Sequence, residues 1–584
     1  MSRRRWIALA GATAVLVWGA ACTATALTAL DRSQAGRDAL RSTQRDVGLS
    51  QLLDGTVVAE LDAAADAFED AYDGATSPVW VPLRPAPVIG RHLASARALT
   101  RTLRDTARRI AEAGARAEVL IDTSRPGPSG RVAVVQGLQD VVDEIAGVIE
   151  EADLGPDDSL LGSFRSARAK LATELASLAE GAEQAGHALN ALNDLLEGPS
   201  TNIVFAANNA EMRSGAGMLL SVGELRSQDG RGEVSDFVPV EDVVAPAGSV
   251  ELPEELEALW GWAEPDQEIR NLLLSPRFPV AAGIAAEVWT ASGRAPVDGV
   301  LAIDPVAIGE LVEVTGPVQV GEDRFDGATI VDELLHEQYV RFGREDRPER
   351  QERSAEIASA VLRQVIDGDW DLVDMVQALE RAVDGRHLLA WSRHEAVQAG
   401  WEALGAEGDL DADSLLIALN NRAAGKTDPF VRVDAAMTSE TGDEAVEISV
   451  ALCIRNGIPD GEPPTVTNDR PAIGLSSGDY RAILTASLPA AARSVRFEGI
   501  ETLNVAGADG PSQVIGYQLQ LPRGTATEVV LRFELPATWS SLVVEPSARV
   551  PAIRWSDERG QWRDRAAKRR PFAEGADPEQ ACPA

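Results

Sequence analysis

Hydrophobic and polar positions divide the chain into five stretches. The first, residues 6–30, runs for 25 residues without a charge between Arg3-Arg4-Arg5 and Asp31-Arg32. As a helix it would reach roughly 37 Å, enough to cross a ~30 Å hydrocarbon core. The arginines before it predict a cytoplasmic amino terminus and an extracytoplasmic remainder, that is, a single-pass protein of the cell membrane. A cleaved signal peptide is the competing reading, because Ala20-Ala21-Cys22 is small enough for processing. The apolar run continues beyond Cys22, which favours a retained anchor.

Residues 31–200 are rich in Ala, Leu, Arg and Glu. Apolar side chains recur at spacings of three and four in Leu93, Ala96, Leu99, Leu103, Ala107 and Ile110, and again in Leu171, Leu175, Leu178 and Ala182. That is the period of a helix with one buried face. Pro and Gly interrupt it at 73–87, 124–130 and 153–157. The pattern predicts about four helices, a bundle standing on the membrane as a stalk.

Residues 201–425 change period. Short apolar runs of β character at 202–206 and 218–222 flank a polar stretch that contains Asn208, Asn209, Glu211, Arg213, Gly215 and Gly217. Amides, an arginine and glycines between buried strands suggest backbone brought close to a polar ligand. Turn capping by the Asn side chains and an Arg213–Glu211 pair account for the same residues. Further on, 297–303 reads as a buried strand and Asp304-Pro305 as the N-cap and first turn of a helix. Strands alternating with helices predict a layered α/β domain. From 426 to 555, β-type runs such as 446–454, 480–488 and 514–521 are separated by Gly, Pro and Asp, which predicts a β-sandwich-like domain. Residues 556–584 are charged and read as a loose tail.

Charge narrows the functions open to such a chain. A net charge of −37 excludes nucleic acid and a broad patch on anionic lipid as partners. Cys22, Cys453 and Cys582 form no CxxC, and the five histidines show no paired metal spacing. Whether Cys453 and Cys582 pair is left open. With three lysines only, arginine carries nearly all positive charge, yet 341–353 stands out with five arginines in thirteen residues. Arg350 and Arg353 lie one turn apart on a helix beginning near Pro348. Guanidinium forks around a helix N-terminus suit phosphate or pyrophosphate. Glu345, Asp346, Glu349 and Glu352 can neutralise four of the five, so a solvated ion-pair face fits the same run.

Several blocks resemble a known family. AANNAEMRSGAG, SPRFPVAAGIAAEVW, VDGVLAIDPVAIGELVEVTGPVQV and VPLRPAPVIGRHLASARAL are similar to the actinobacterial domain of unknown function 4012, over roughly 81–426. The resemblance implies an anchored, exported protein without an established activity. Arg277 departs from that pattern, which has an acidic residue there. In block order the central domain also resembles, more distantly, the LytR-CpsA-Psr family, whose members bind polyprenyl-pyrophosphate-linked glycans and transfer them to the cell wall. That resemblance aligns Arg213-Ser214-Gly215-Ala216 with an Arg-Ser-Asp-Thr strand entry, and Arg350-Gln351 with an Arg-Gln pair. Gly215 stands where the family has the acid that assists Mg²⁺ or proton removal, and Val240 or Glu241 where it has a phosphate-binding arginine. Phosphoryl transfer depends on metal and cationic charge, so a glycan phosphotransferase here would have a degenerate site. Mg²⁺ is the one cofactor the resemblance brings into view.

The expectation is therefore an anchored envelope protein that binds, and on the fullest reading transfers, a polyprenyl-phosphate lipid or cell-wall glycan. Arg213, Arg341, Arg344 and Arg350 form the expected anion-binding set, with Arg353 beside them and Asn208 and Asn209 as orienting groups. The alternative is a non-enzymatic scaffold that meets envelope protein partners through its helices and sandwich. Convergence of the arginines in one cleft favours the first, and arginines paired internally favour the second.

Overall fold

The computed structural model describes residues 56–123, 127–155, 162–468, 470–572 and Cys582. The expected anchor at 6–30 lies outside the described residues. Among those described, no helix is long and apolar enough to cross a membrane. The chain forms two units, one running to Asn190 and one from Ala191 onward.

The first unit contains α1 (Thr56–Thr76), α2 (Pro87–Asp122), α3 (Pro128–Glu150) and α4 (Gly162–Glu197), the last residues of α4 belonging to the second unit. Pro87 opens α2, where a fixed φ and a missing N–H cost nothing. Residues at three- and four-residue spacing supply the buried contacts. Phe68 of α1 meets Ala107 of α2. Leu99 of α2, Ile149 of α3, and Leu171 and Leu175 of α4 form a second cluster. Charges stay outside, as in the Arg109–Glu151 pair at 2.9 Å.

The second unit opens on a mixed sheet. Its strands are β1 (Ser200–Met212), β2 (Gly217–Gln228), β3 (Arg231–Val234), β4 (Val238–Pro239) and β5 (Gly299–Ile303). A small hairpin of β6 (Val318–Val320) and β7 (Asp323–Phe325) stands apart, and β8 (Leu388–Ser392) completes the sheet in the order β3-β2-β1-β5-β8. β1 and β5 are parallel, and both are covered on two faces, which explains their unbroken apolar runs. Ile203, Phe205, Val300 and Ala302 point into one core with α6 (Phe278–Ala291), reached after the short α5 (Glu254–Trp260). Val204, Leu301 and Ile303 point into the other, with α7 (Pro305–Thr315). Asp304 caps α7, its Oδ1 accepting from the backbone of Val306 at 2.8 Å and Ala307 at 3.1 Å.

The polar stretch after residue 206 is not a loop. β1 continues through Asn208 to Met212, with bulges, and the turn is only Arg213 to Ala216, closed by Arg213 N–H to Ala216 O at 2.9 Å. The stretch is polar because its partners come from the far end of the chain.

That far end builds two six-stranded sheets around one core. One has the order β13-β16-β11-β10-β18-β19 and the other β14-β15-β12-β9-β17-β20. Their ranges are β9 Ser414–Asn421, β10 Val431–Thr441, β11 Ala445–Asn456, β12 Tyr480–Pro489, β13 Arg493–Phe497 and β14 Val505–Asp509. β15 Ser512–Leu521, β16 Ala526–Pro536, β17 Ser541–Val544, β18 Arg554–Asp557, β19 Gly560–Arg563 and β20 Lys568–Pro571 follow. Val433, Ile448 and Phe533 of the first sheet share a core with Ile417, Leu484 and Tyr517 of the second. Two boundaries move from those expected at 426 and 555. β9 lies before the first, fully buried because one face enters this core and the other meets β1. β19 and β20 lie in the expected tail. Their charges conceal strands whose arginines are paired, Arg570 with Asp557 and Arg569 with Asp413. Cys582 is joined to Cys453 of β11 by a disulfide.

The layered part and the two sheets meet at buried polar groups. Asp304 Oδ2 accepts from Asn209 Nδ2 at 2.7 Å and lies 2.6 Å from His387 Nδ1, while Asn209 also donates to Ala548 O at 2.6 Å. Burial opposes charge on His387, but Asp304 outweighs it and raises the imidazole's pKa. Burial pushes Asp564 up to about 7, although Ser547 donates to it from its backbone and its hydroxyl. Both groups hold protons more tightly folded than unfolded, so stability falls as pH rises. For Asp564 the fall spans about pH 4 to 7, and for His387 it begins near about pH 6.5 and ends at the raised folded value. The thermal midpoint should drop between pH 5 and pH 8, and Asp564→Asn should flatten that drop. A midpoint that rises over this range, or a variant with an unchanged slope, contradicts the assignment.

Candidate functional site

The arginine-rich run connects two helices that border a cleft. After α8 (Gly327–Asp332) a π turn, Glu333–Glu337, leads into the short α9 (Gln338–Arg341). The chain extends at Phe342, turns, and enters α10 (Arg347–Asp367) with Pro348 in its first turn. Between α10, residues 218–221 of β2 and the segment 236–241 lies a cleft of about 1000 Å³, closed at one side by Tyr339, Lys426, Pro464, Thr465, Asn468 and Arg470.

Its walls are cationic for this chain. Arg270, Arg344, Arg347, Arg350, Arg363, Lys426 and Arg470 face Glu211, Asp236, Glu241, Glu352 and Glu356. Seven cations against five acids reverse the balance of 54 to 91 in the whole chain. Arg350 and Lys426 each sit 5.0 Å from the centre of the Tyr339 ring. Lys426 is paired with Glu211. Burial opposes its charge, but Glu211 and Tyr339 together raise its pKa. Arg344 donates to Asn468 Oδ1 at 2.9 Å and Pro464 O at 3.2 Å. Neither Arg344 nor Arg350 has an acidic partner among the described residues. Arg347 holds Glu241 through both carboxylate oxygens, at 2.9 and 2.7 Å. Met218 and Leu220, both half-buried, add a short apolar strip beside these charges, while Leu219, Phe237 and Val240 are packed into the cores beneath.

Of the expected anion-binding set, Arg344 and Arg350 reach the cleft and the others do not. Arg213 is 4% exposed at the hairpin turn and donates to Met212 O at 3.0 Å and Asn421 O at 2.8 Å. Burial lowers its pKa to about 10, so it stays charged as a structural cation. Arg341 and Arg353 converge instead on Glu333 and Asp323, with Arg341–Glu333 at 3.1 Å and Arg353–Glu333 at 3.0 Å. Glu333 is buried, and two guanidiniums offset its desolvation. Asn209 is spent on Asp304 and Ala548, as described. Asn208 is also buried, but its Nδ2 donates to Tyr339 Oη at 2.8 Å and so fixes the ring that Arg350 and Lys426 share.

Lys426, Tyr339, Arg347 and Arg270 escape sequence reasoning. Arg347 sat in the run with glutamates at hand. Lys426 and Arg270 are brought in by tertiary packing and carry no local signal. For Mg²⁺, the described residues hold no group of three His, Cys, Asp or Glu side chains able to take a metal. The cleft acids Glu211 and Glu241 are each held by a cation. At Gly215 a Cβ would lie 3.0 Å from Ser275 O and 3.1 Å from Leu273 Cδ2, so a side chain there would need its neighbours to shift by a few tenths of an ångström.

A mixed sheet between helical layers, with a cationic cleft beside it, forms an α/β part joined to two paired β-sheets. Residues 197–339 match the family described as protein of unknown function (DUF4012), which supports that resemblance for the segment from β1 to Tyr339. No curated protein and no solved structure matches the chain.

Arg213→Ala should lower stability in chemical denaturation by about 2–3 kcal/mol, the range for hydrogen bonds made by charged groups. An unchanged midpoint would contradict the structural role.

Proposed function

We propose that this is a membrane-anchored, extracytoplasmic envelope protein whose cleft binds a phosphate-bearing lipid or glycan of the polyprenyl-phosphate class. The observation that carries the reading is the pair Arg344 and Arg350, free of acidic partners among the described residues, beside the short apolar strip of Met218 and Leu220. Guanidinium forks match a phosphate head, and the apolar strip matches an isoprenoid chain next to it. The uncharged run at 6–30 supports the anchor. The Cys453–Cys582 disulfide supports an oxidising compartment.

Transfer is not part of this reading, because Glu211 and Glu241 are engaged by Lys426 and Arg347 and the described residues hold no group of three acids, histidines or cysteines for a metal. One observation favours the scaffold alternative: Arg213, Arg341 and Arg353 are all consumed by partners within the fold.

The test is binding of a short polyprenyl pyrophosphate to the full chain in detergent. Wild type should bind saturably, and Arg350→Ala should weaken binding by about 1.5–3 kcal/mol, the range for a charged hydrogen bond. Arg341→Ala should leave affinity unchanged. Absence of binding by the folded wild type rejects the lipid reading and leaves the scaffold.

A further inference from the structure

The outer face of the first of the two C-terminal sheets carries another cationic surface, formed by none of the residues that line the cleft. Strand register sets Arg432 of β10 directly opposite Arg455 of β11, and Arg554 of β18 directly opposite Arg563 of β19. Asp434, two residues beyond Arg432 and therefore on the same face, stands opposite Arg554 and bonds it. All four guanidinium residues are exposed. Arg432, Arg455 and Arg563 have no acidic partner among the described residues. The nearest acids along the ladder, Asp434 of β10 and Glu528 of β16, both stand opposite Cys453, two residues from Arg455. A shallow pocket of about 150 Å³ opens between Arg432, Arg554 and Arg563.

Like charges placed directly opposite each other lower the stability of a sheet. The same sheet shows how this chain neutralises such a pair. Arg496 of β13 stands opposite Arg532 of β16, but Arg532 is held by Glu498 and by Glu447 at 3.3 Å. With 91 acids to 54 cations, carboxylates were not scarce. Among the described residues, two adjacent like-charged pairs, with Asp434 between them and Glu528 diagonal to Arg455, leave Arg432, Arg455 and Arg563 without an ion pair. Neighbouring strands lie ~4.8 Å apart, so β11, β10, β18 and β19 spread the four guanidiniums over roughly 14 Å. That span exceeds one phosphate group and suits a repeating series.

We infer that this face binds a linear phosphate polymer, successive phosphates being taken by successive guanidinium forks. The attraction is electrostatic and carries the salt dependence of a polyanion complex.

The test uses inorganic polyphosphate as the probe and the full chain in detergent, at low and high salt. Wild type should bind saturably and less tightly as salt rises. The double variant Arg432→Gln/Arg563→Gln should bind about tenfold more weakly or worse, with a thermal midpoint no lower than wild type. Arg496→Gln on β13 should leave polyphosphate affinity within about twofold, a change of under ~0.5 kcal/mol. The inference is overturned by absent binding, by equal weakening in Arg496→Gln, or by loss with Arg350→Ala, which would put the polymer in the cleft. It is also overturned if polyglutamate binds as tightly as polyphosphate, or if the double variant is less stable, since the arginines would then serve the fold.

Discussion

The second unit depends on one buried carboxylate. Asp428 is fully buried and accepts four hydrogen bonds. Met212 N–H at 3.1 Å comes from the end of β1, Asn421 Nδ2 at 2.7 Å from β9, Tyr480 Oη at 2.7 Å from β12 and Arg549 Nη1 at 2.9 Å from the segment after β17. An isolated carboxylate in such a place would cost several kcal/mol, and only a full set of donors with a paired cation makes it tolerable. The requirement runs both ways. Asp428 takes one of its four donors from the tip of the first hairpin, and Met212 N–H finds its acceptor there. Around this centre Ser214 N–H donates to Asn420 Oδ1 at 2.9 Å and Arg213 to Asn421 O, so the layered part and the paired sheets share one polar seam.

The seam sets the geometry of the cleft. Glu211 immediately precedes Met212, and its position on an anchored strand fixes where Lys426 can be neutralised. Asn208, three residues earlier, is held by Leu334 O at 3.2 Å and in turn holds Tyr339. Tyr339 then presents its ring to both Arg350 and Lys426. A binding wall assembled from strand, π turn and inter-sheet loop is thus positioned by hydrogen bonds that no ligand needs to touch. Such preorganisation lowers the ordering cost of binding. It also explains why buried amides and arginines beside a cleft need not line it.

Much of the architecture was legible locally. The apolar runs of β1 and β5, the Asp304-Pro305 helix start and the helical period in α2 and α4 are set by neighbours in sequence. The arginine run was legible as a cluster, and two of its members, Arg344 and Arg350, do reach the cleft. What was not legible shares one cause. Asn208 to Ser214 look like a ligand loop because polar residues between buried strands have no visible partner nearby. Those of Met212, Arg213 and Ser214 lie 206 to 216 residues away. β19 and β20 looked like tail because Arg569 and Arg570 are neutralised by Asp413 and Asp557, an arrangement a hydropathy pattern cannot carry. Lys426 and Arg270 enter the cleft by the same long-range closure.

The charge economy of the chain gives its cationic places their meaning. With a net charge of −37, most of the surface repels an anion at separations up to the ~8 Å screening length of physiological salt. Arginines that neutralise buried acids, such as Arg353 on Glu333 and Arg549 on Asp428, stabilise the fold and present no field outward. Only guanidiniums left without a carboxylate can reverse the local potential, and Arg344 and Arg350 bring two of them to one cleft. An acidic background around a small cationic cleft weakens non-specific capture of polyanions more than it weakens a ligand seated in direct contact, because contact interactions are screened least. Where this protein withholds its many acids therefore shapes its local potential more than how many arginines it has.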